Sequence, residues 1–366
     1  MKNSSKIILD ALTFDDLLIL PGYTDFKRAD VSLATLLHPD IPLSLPVCSS
    51  PIDTVTESAM AIALGKTGGL GIIHRNLSIA DQAAMVSYVR SQKLAVGAAC
   101  GTGSDFEERV RALSHANASV IVIDSGHGYT KYVIDAVRYI KKNFPTRIVM
   151  AGNIATADGA KALIKAGADI LRVGMGPGSI CTTRIVTGVG VPQITAIQEV
   201  VQTARSVKGK RITVVADGGI RQIGDMAKAL GCGAHAVMLG SLLAGFDQSP
   251  ADTVRIEGKD YKQYRGMGSV GAMKKGSAER YGQSVSTGSR NLIPEGVEGL
   301  VRYKGSVVSY LEQIAGSLRS AFYYTGAKTV EEFHRKVRFV RITPASMEES
   351  RPHSVTVVDP GINYSQ

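Results

Sequence analysis

The sequence predicts a single (β/α)8 TIM barrel, α/β in class, on three observations. Eight apolar strand-like runs recur roughly every 20 to 30 residues, helix-period stretches lie between most of them, and polar or glycine residues gather at one end of the runs. The runs are LPVCSS, GLGIIH, LAVGAAC, SVIVIDS, RIVMAGN, DILRVGM, ITVVADGG and HAVMLGS. Because they are apolar throughout, they read as parallel strands buried on both faces and covered by helices. The intervening stretches, such as DTVTESAMAIALGKTG, TADGAKALIKAGA and QIGDMAKALGCGA, carry Ser, Thr or Asp near the start and Gly near the end, which supply cap and stop. At the C-terminal ends of the runs stand Ser49, Ser50, His74, Asp124, Ser125, Asn153, Gly174, Asp217, Gly218, Gly219, Gly240 and Ser241. In a barrel of this kind that end carries the chemistry.

Two segments break the repeat. Residues 174–191 form a long Gly/Thr-rich loop after the sixth run, and residues 247–305 a long excursion after the eighth, read as a flap. A helix is expected from about Val307 to Tyr323, followed by a polar, partly extended tail over 335–366, so that the whole of 1–366 is one catalytic domain.

With 366 residues and 44% hydrophobic content the chain can bury a large core. No apolar run reaches membrane-spanning length, and the N-terminal KIILDALTFDDLLIL is interrupted by Asp10, Asp15 and Asp16, so a cytoplasmic address is expected. The net charge of +10 is scattered, without an arginine-rich block or an aromatic-interleaved basic strip. That pattern argues against nucleic acid and fits a solvated basic surface or a phosphate-bearing ligand. Of the four cysteines, Cys48, Cys100 and Cys232 sit in apolar or glycine-rich stretches expected to be buried, with neither disulfide nor metal spacing.

Cys181 is different, standing inside the bend-prone GMGPGSICTTR. The glycines of ADGGI (216–220) and LGSLLAG (239–245) follow the seventh and eighth strands, where backbone N–H groups of a barrel commonly take a phosphate. A phosphorylated substrate follows, with Asp217 suited to the two hydroxyls of a ribose. A thiol exposed on a mobile loop above such a site reads as a nucleophile.

SSPIDTVTE (49–57), GGLGIIHRN (68–76), GPGSICTTR (176–184), GVGVPQ (188–193), VADGGIR (215–221), YRGMGSVGAM (264–273) and ERYGQ (279–283) together resemble the inosine-5′-monophosphate dehydrogenase and GMP reductase family, from about residue 10 to the C-terminus. The Arg280-Tyr281 pair and the glycine at 268 are closer to the dehydrogenase branch. The resemblance implies that Cys181 attacks C2 of IMP, that hydride passes to NAD+, and that water releases XMP with Arg280 as base, Tyr281 tuning it and Thr183 near the same water. It assigns Ser50, Ser179, Gly219, Gly240, Ser241 and Tyr264 to the phosphate, Asp217 to the ribose, and Met267, Gly268 and Glu295 to the purine. Asp124, Ser125, Asn153, Arg172 and Gly174 would line the nicotinamide side.

Potassium is implied on the carbonyls of Gly176, Gly178 and Cys181, completed by Glu349, Ser350 and Arg351 of a neighbouring subunit, hence a homotetramer. Two departures stand out, Gly126 in place of a serine and Ile52 in place of a methionine. No G-x-G-x-x-G opens a βαβ unit, so NAD+ would lie across the barrel mouth without a Rossmann module. Most of the family's dehydrogenases insert a CBS pair between the second helix and the third strand, where this sequence has only VRSQK. The rival readings are an NADPH-dependent GMP reductase and a non-catalytic nucleotide- or nucleic-acid-binding barrel.

Overall fold

The computed structural model describes residues 6–283, 292–359 and 361. The eight expected runs form strands β1 Val47–Ser49, β2 Gly71–Ile73, β3 Val96–Cys100, β4 Val120–Asp124, β5 Val149–Ile154, β6 Ile170–Val173, β7 Thr213–Asp217 and β8 Ala236–Leu239. Neighbours pair in parallel, and β8 returns to β1 with Val237 opposite Val47 and Leu239 opposite Ser49. The ring closes where Ser49 N–H donates to the Leu70 carbonyl and Leu70 N–H to that of Val47, both at 3.0 Å.

The period of two explains why the runs are apolar without interruption. Ile72, Val120, Val122, Met150, Ile170, Val215 and Met238 fill the barrel, whereas Ile73, Val96, Ile121, Ile123, Leu171 and Val214 pack under the helices. A hairpin of Thr35–His38 and Ile41–Leu43 plugs the N-terminal end, adding Leu37, Ile41 and Leu43 to the inner cluster. The helices start and stop as their sequences dictate. The hydroxyls of Ser78, Thr130 and Thr156 accept from Asp81, Val133 and Gly159 N–H, and Gly167 ends Ala157–Ala166 at φ +112°.

The segments outside the repeat hold more structure than their composition suggests. The 174–191 loop contains a short helix, Thr183–Thr187. The flap carries a three-stranded antiparallel sheet of Thr253–Ile256, Lys259–Arg265 and Glu298–Arg302, turned at Glu257 and Gly258, both at positive φ. Its middle, 284–291, lies outside the described residues, as do 1–5, 360 and 362–366. The helix expected to close the barrel runs Val307–Tyr324. The tail holds a strand, Phe339–Arg341, paired antiparallel with Leu17–Ile19, and a helix, Pro344–Glu349. Between the helix Ile79–Ser91 and β3 lie only residues 92–95. Among the described residues no helix is long and apolar enough to cross a membrane.

The helix Ser58–Lys66 lies so close to β2 that a Cβ on Gly71 would stand 2.3 Å from Ala61 Cα. Gly71→Ala is therefore expected to lower stability by about 1–3 kcal/mol. Gly316, inside the helix Val307–Tyr324 with nothing within 4 Å of its missing Cβ, is expected to gain about 0.5–1 kcal/mol on substitution by alanine. Thermal unfolding of the two variants checks both signs, and an unchanged Gly71→Ala midpoint contradicts the packing described.

Candidate active site

A cavity of about 340 Å3 opens at the C-terminal end of the barrel. Gly218 and Gly219, at φ +88° and +76°, turn the chain after β7 against Pro177. Only glycine fits there, since a Cβ on either would press on the Pro177 ring at 2.9 and 3.2 Å. The Tyr264 hydroxyl lies against the Ser179 hydroxyl and the Ser241 backbone, and burial pushes its ionisation well up, so it remains a neutral phenol. Gly240 lets it approach, for a Cβ there would be 2.8 Å from the phenolic oxygen. Ser50, Ser179, Gly219, Gly240, Ser241 and Tyr264 thus come together on one wall, as a set of neutral donors suited to an anion.

Opposite lies a buried ionic chain. Arg172, on β6 and 2% exposed, donates from Nε to Asp217 Oδ2 at 2.9 Å and from Nη1 to Asp124 Oδ1 at 2.5 Å. Asn153 Nδ2 donates to Asp217 Oδ2 at 2.7 Å and to the Gly174 carbonyl at 2.8 Å. Gln193 Nε2 holds the Asp217 and Val173 carbonyls at 2.9 and 3.0 Å. Arg280 of the flap pairs with Asp124 as well. Burial alone would raise the Asp124 pKa, but Arg280, Arg172 and Arg75 outweigh it and hold it down at about 2. For Arg280, burial opposes the charge and Asp124 more than restores it, so its pKa stands above the ordinary arginine value.

That pairing places two of the expected residues behind the flap. Asp124 and Ser125 do not line the cavity with the flap in this position; Gly126 does. The Asp124 side chain is fully covered, and Ser125 Oγ donates to the His127 carbonyl at 2.9 Å. The physical reason is the flap: Gly126 N–H donates to the Arg280 carbonyl at 3.0 Å, and a Cβ at 126 would stand 3.2 Å from that oxygen. Two buried acceptors beside it, Asp124 Oδ2 and Asn153 Oδ1, have no partner. They suit a ligand that brings N–H or O–H donors.

Cys181 is half-buried rather than exposed. Its S–H donates to Thr183 Oγ1 at 3.2 Å, and its N–H to the Gly178 carbonyl at 3.0 Å. The returning flap zips onto the loop, with Thr182 N–H donating to the Glu295 carbonyl and Val297 N–H to that of Ile180, each at 3.0 Å. Thr183, Met267, Arg280, Tyr281 and Glu295 share the cavity with Cys181, as do Arg172 and Gly174. Gly268 does not line it but supports Tyr281, since a Cβ there would meet the ring at 2.8 Å. Gly176 and Gly178 lie on the cavity wall, while Glu349, Ser350 and Arg351 are exposed and do not line it within one chain.

Three positioning groups were not evident from sequence. Arg184, though inside GPGSICTTR, clasps both ends of the loop, from Nε to the Met175 carbonyl at 3.1 Å and from Nη2 to that of Val191 at 2.6 Å. Gln193 was visible only as the end of GVGVPQ. Arg265 grips Asp53 through Nε at 3.1 Å and Nη2 at 2.5 Å, fastening the root of the flap to the loop after β1.

Residues 11–353 match the family described as IMP dehydrogenase / GMP reductase domain. The chain belongs to that family. Among its relatives, the inosine-5′-monophosphate dehydrogenase of Aquifex aeolicus is 37% identical over 493 residues, covering 100% of this chain and 99% of the relative. That of Borreliella burgdorferi is 41% identical over 401 residues, covering 96% and 98%. That of Halalkalibacterium halodurans is 34% identical over 487 residues, covering 99% of each. The first and third alignments run more than a hundred positions beyond the 366 residues here. Those two family members thus carry a stretch that this chain lacks, in keeping with the short 92–95 connection.

Asp124→Asn leaves two buried guanidinium groups short of a counter-charge and is expected to cost about 3–5 kcal/mol at pH 7. Because the folded pKa of Asp124 is depressed to about 2, the wild-type advantage is complete above the unfolded carboxylate value and is lost as pH falls through about 2. Urea unfolding from pH 7 to pH 2.5 checks this; a gap between the two proteins that does not narrow below pH 4 contradicts it.

Proposed function

We propose that the chain oxidises IMP to XMP with NAD+, through a covalent bond at Cys181, in guanine nucleotide biosynthesis in the cytoplasm. The observation that carries the reading is that one cavity holds the Cys181 thiol, the Ser179–Tyr264 wall and the Arg280-Tyr281 pair. In this reading IMP lies with its phosphate on that wall, its ribose on Asp217, and its purine toward Met267 and Glu295. Cys181 Sγ adds to C2 of the hypoxanthine and loses its proton. The C2 hydrogen departs with its electron pair as hydride, leaving a thioimidate. NAD+, when bound, is the two-electron acceptor. Water then adds to C2 and the C2–S bond breaks, which returns the thiol and yields XMP, so that IMP, NAD+ and water give XMP, NADH and a proton.

Arg280 and the nicotinamide end of the cofactor cannot both be held by Asp124. While it is paired with Asp124, its guanidinium is held charged and that carboxylate is unavailable to a ligand. We infer that the flap leaves Asp124 Oδ2 and Asn153 Oδ1 to the donors of the nicotinamide end during oxidation and returns for hydrolysis. Paired with Asp124 in the returned flap, the charged Arg280 orients the attacking water and stabilises the negative charge that develops on it. The glycine at 268 supports the dehydrogenase reading, because a serine there would collide with Tyr281 where it now lies.

Carbonyl and hydroxyl oxygens are hard donors, so Gly176, Gly178 and Cys181, with Glu349, Ser350 and Arg351 of a neighbour, suit potassium in a homotetramer. No group of His, Cys, Asp and Glu able to hold a metal ion occurs among the described residues.

The test is NADH formation from IMP and NAD+, against NADPH consumption with GMP. The first alone is expected, and turnover only with the second overturns the reading. Arg280→Ala is expected to give a burst of about one NADH per active site followed by turnover at least a hundredfold slower than wild type; loss of the burst would place Arg280 in the first half-reaction.

A further inference from the structure

A second cavity, about 1120 Å3, lies at the opposite, N-terminal end of the barrel beside the plug hairpin. Its charged lining is one-sided. Arg205 comes from the end of the helix Gln193–Ser206, Lys210 and Arg211 from the lead-in to β7, and Arg335 from the helix Val330–Lys336, against the single carboxylate of Glu331. Lys210 is committed to Asp169 at 3.0 Å. Arg205, Arg211 and Arg335 make no ion pair or side-chain hydrogen bond among the described residues. The arginines of the catalytic cavity are all engaged: Arg172 and Arg280 with Asp124, Arg221 with Asp15, and Arg184 with backbone carbonyls.

Two histidines converge on the same place, their ring centroids 5.6 Å apart and edge to face. His235 Nδ1 accepts from Val214 N–H at 3.1 Å, so the neutral ring carries its hydrogen on Nε2. His334 Nε2 donates to the Ala234 carbonyl at 2.9 Å, leaving Nδ1 as the acceptor. Burial, His334, Arg211 and Arg205 together push His235 down to about 3, and burial, Arg205 and Arg211 also lower His334. The folded chain thus crowds two guanidinium groups against two imidazoles with little negative charge to offset them. One side of the cavity is apolar, with Leu36, Pro42 and Val207.

We propose that this cavity is a binding site for a polyphosphate anion, held by Arg205, Arg211 and Arg335. Arg205, Arg211 and Arg335 are exposed and form no ion pair among the described residues, Glu331 in the lining and Glu332 near Arg335 offset only part of their charge, and guanidinium takes phosphate oxygens in pairs. The anion is either an inorganic polyphosphate or the tail of a nucleotide whose nucleoside rests on the apolar side. The N-terminal face of a barrel does no chemistry, so the site binds and stabilises. It does not depend on the dehydrogenase reading.

The test is calorimetric titration of the full chain with pyrophosphate and with ATP at constant ionic strength. Wild type is expected to bind pyrophosphate at least tenfold more tightly than sulfate, and Arg205→Ala, Arg211→Ala and Arg335→Ala each to lose at least tenfold. Arg211→Lys is expected to recover part of the loss. Melting curves establish that the variants are folded. The His235 and His334 ring resonances are expected to move with pyrophosphate in wild type and not in the Arg205→Ala/Arg211→Ala double variant. ATP binding tenfold tighter than pyrophosphate identifies the nucleotide, and equal binding the inorganic anion. Pyrophosphate no tighter than sulfate, or affinity unchanged in the double variant, overturns the proposal.

Discussion

Arg172 is the group on which the rest of the site depends. Its side chain is buried at the end of the barrel, where a lone guanidinium or carboxylate would be costly, and it joins Asp124 on β4 to Asp217 on β7. Each charge is tolerable only because the others are there. The cluster fixes the Asp217 carboxylate, and Gln193 and Asn153 fix the backbone and amide around it. Everything that must be rigid about the floor of the cavity follows from those contacts.

What must move is built differently. The flap is tied at its root by Arg265 on Asp53 and along its return by the contacts of Glu295 and Val297 to the 180–182 stretch. Arg280, between those ties, borrows its counter-charge from the floor by pairing with Asp124. Closure is therefore not an apolar collapse but the addition of a second cation to a cluster of one guanidinium and two carboxylates. Such an arrangement is open to competition, because any ligand group that satisfies Asp124 removes part of the reason for the flap to stay. Gly126 is consistent with this, since a Cβ there would stand 3.2 Å from the Arg280 carbonyl that its own N–H holds at 3.0 Å.

The barrel was legible in the sequence because each strand is buried on both faces, which leaves no polar alternation to confuse a run such as SVIVIDS. The turn beside the cavity was legible for a related reason: glycines such as Gly218 and Gly219 mark backbone conformations that few other residues adopt. The flap sheet was not. Its strand Lys259–Arg265, KDYKQYR, is half-exposed and rich in charge, so its composition reads as loop, and its turn at Glu257 and Gly258 carries the only short-range signal. Nor does a list of residue types at strand ends say which of them face the cavity. Asp124 sits at such an end, yet the partners that cover it, Arg172 and Arg280, lie 48 and 156 positions away. Arg184 and Gln193 were hidden likewise, because their work is done on distant backbone carbonyls.

The central claim is that Arg280 and a cofactor alternate at Asp124. Hydrogen–deuterium exchange of the flap segment 268–283 tests it most directly, in the protein with IMP alone and with IMP plus a NAD+ analogue that cannot accept hydride. The flap amides are expected to be protected with IMP alone and to lose protection when the analogue binds, while β4 and β6 stay protected in both. Flap protection that is unchanged or increased by the bound analogue would contradict the account.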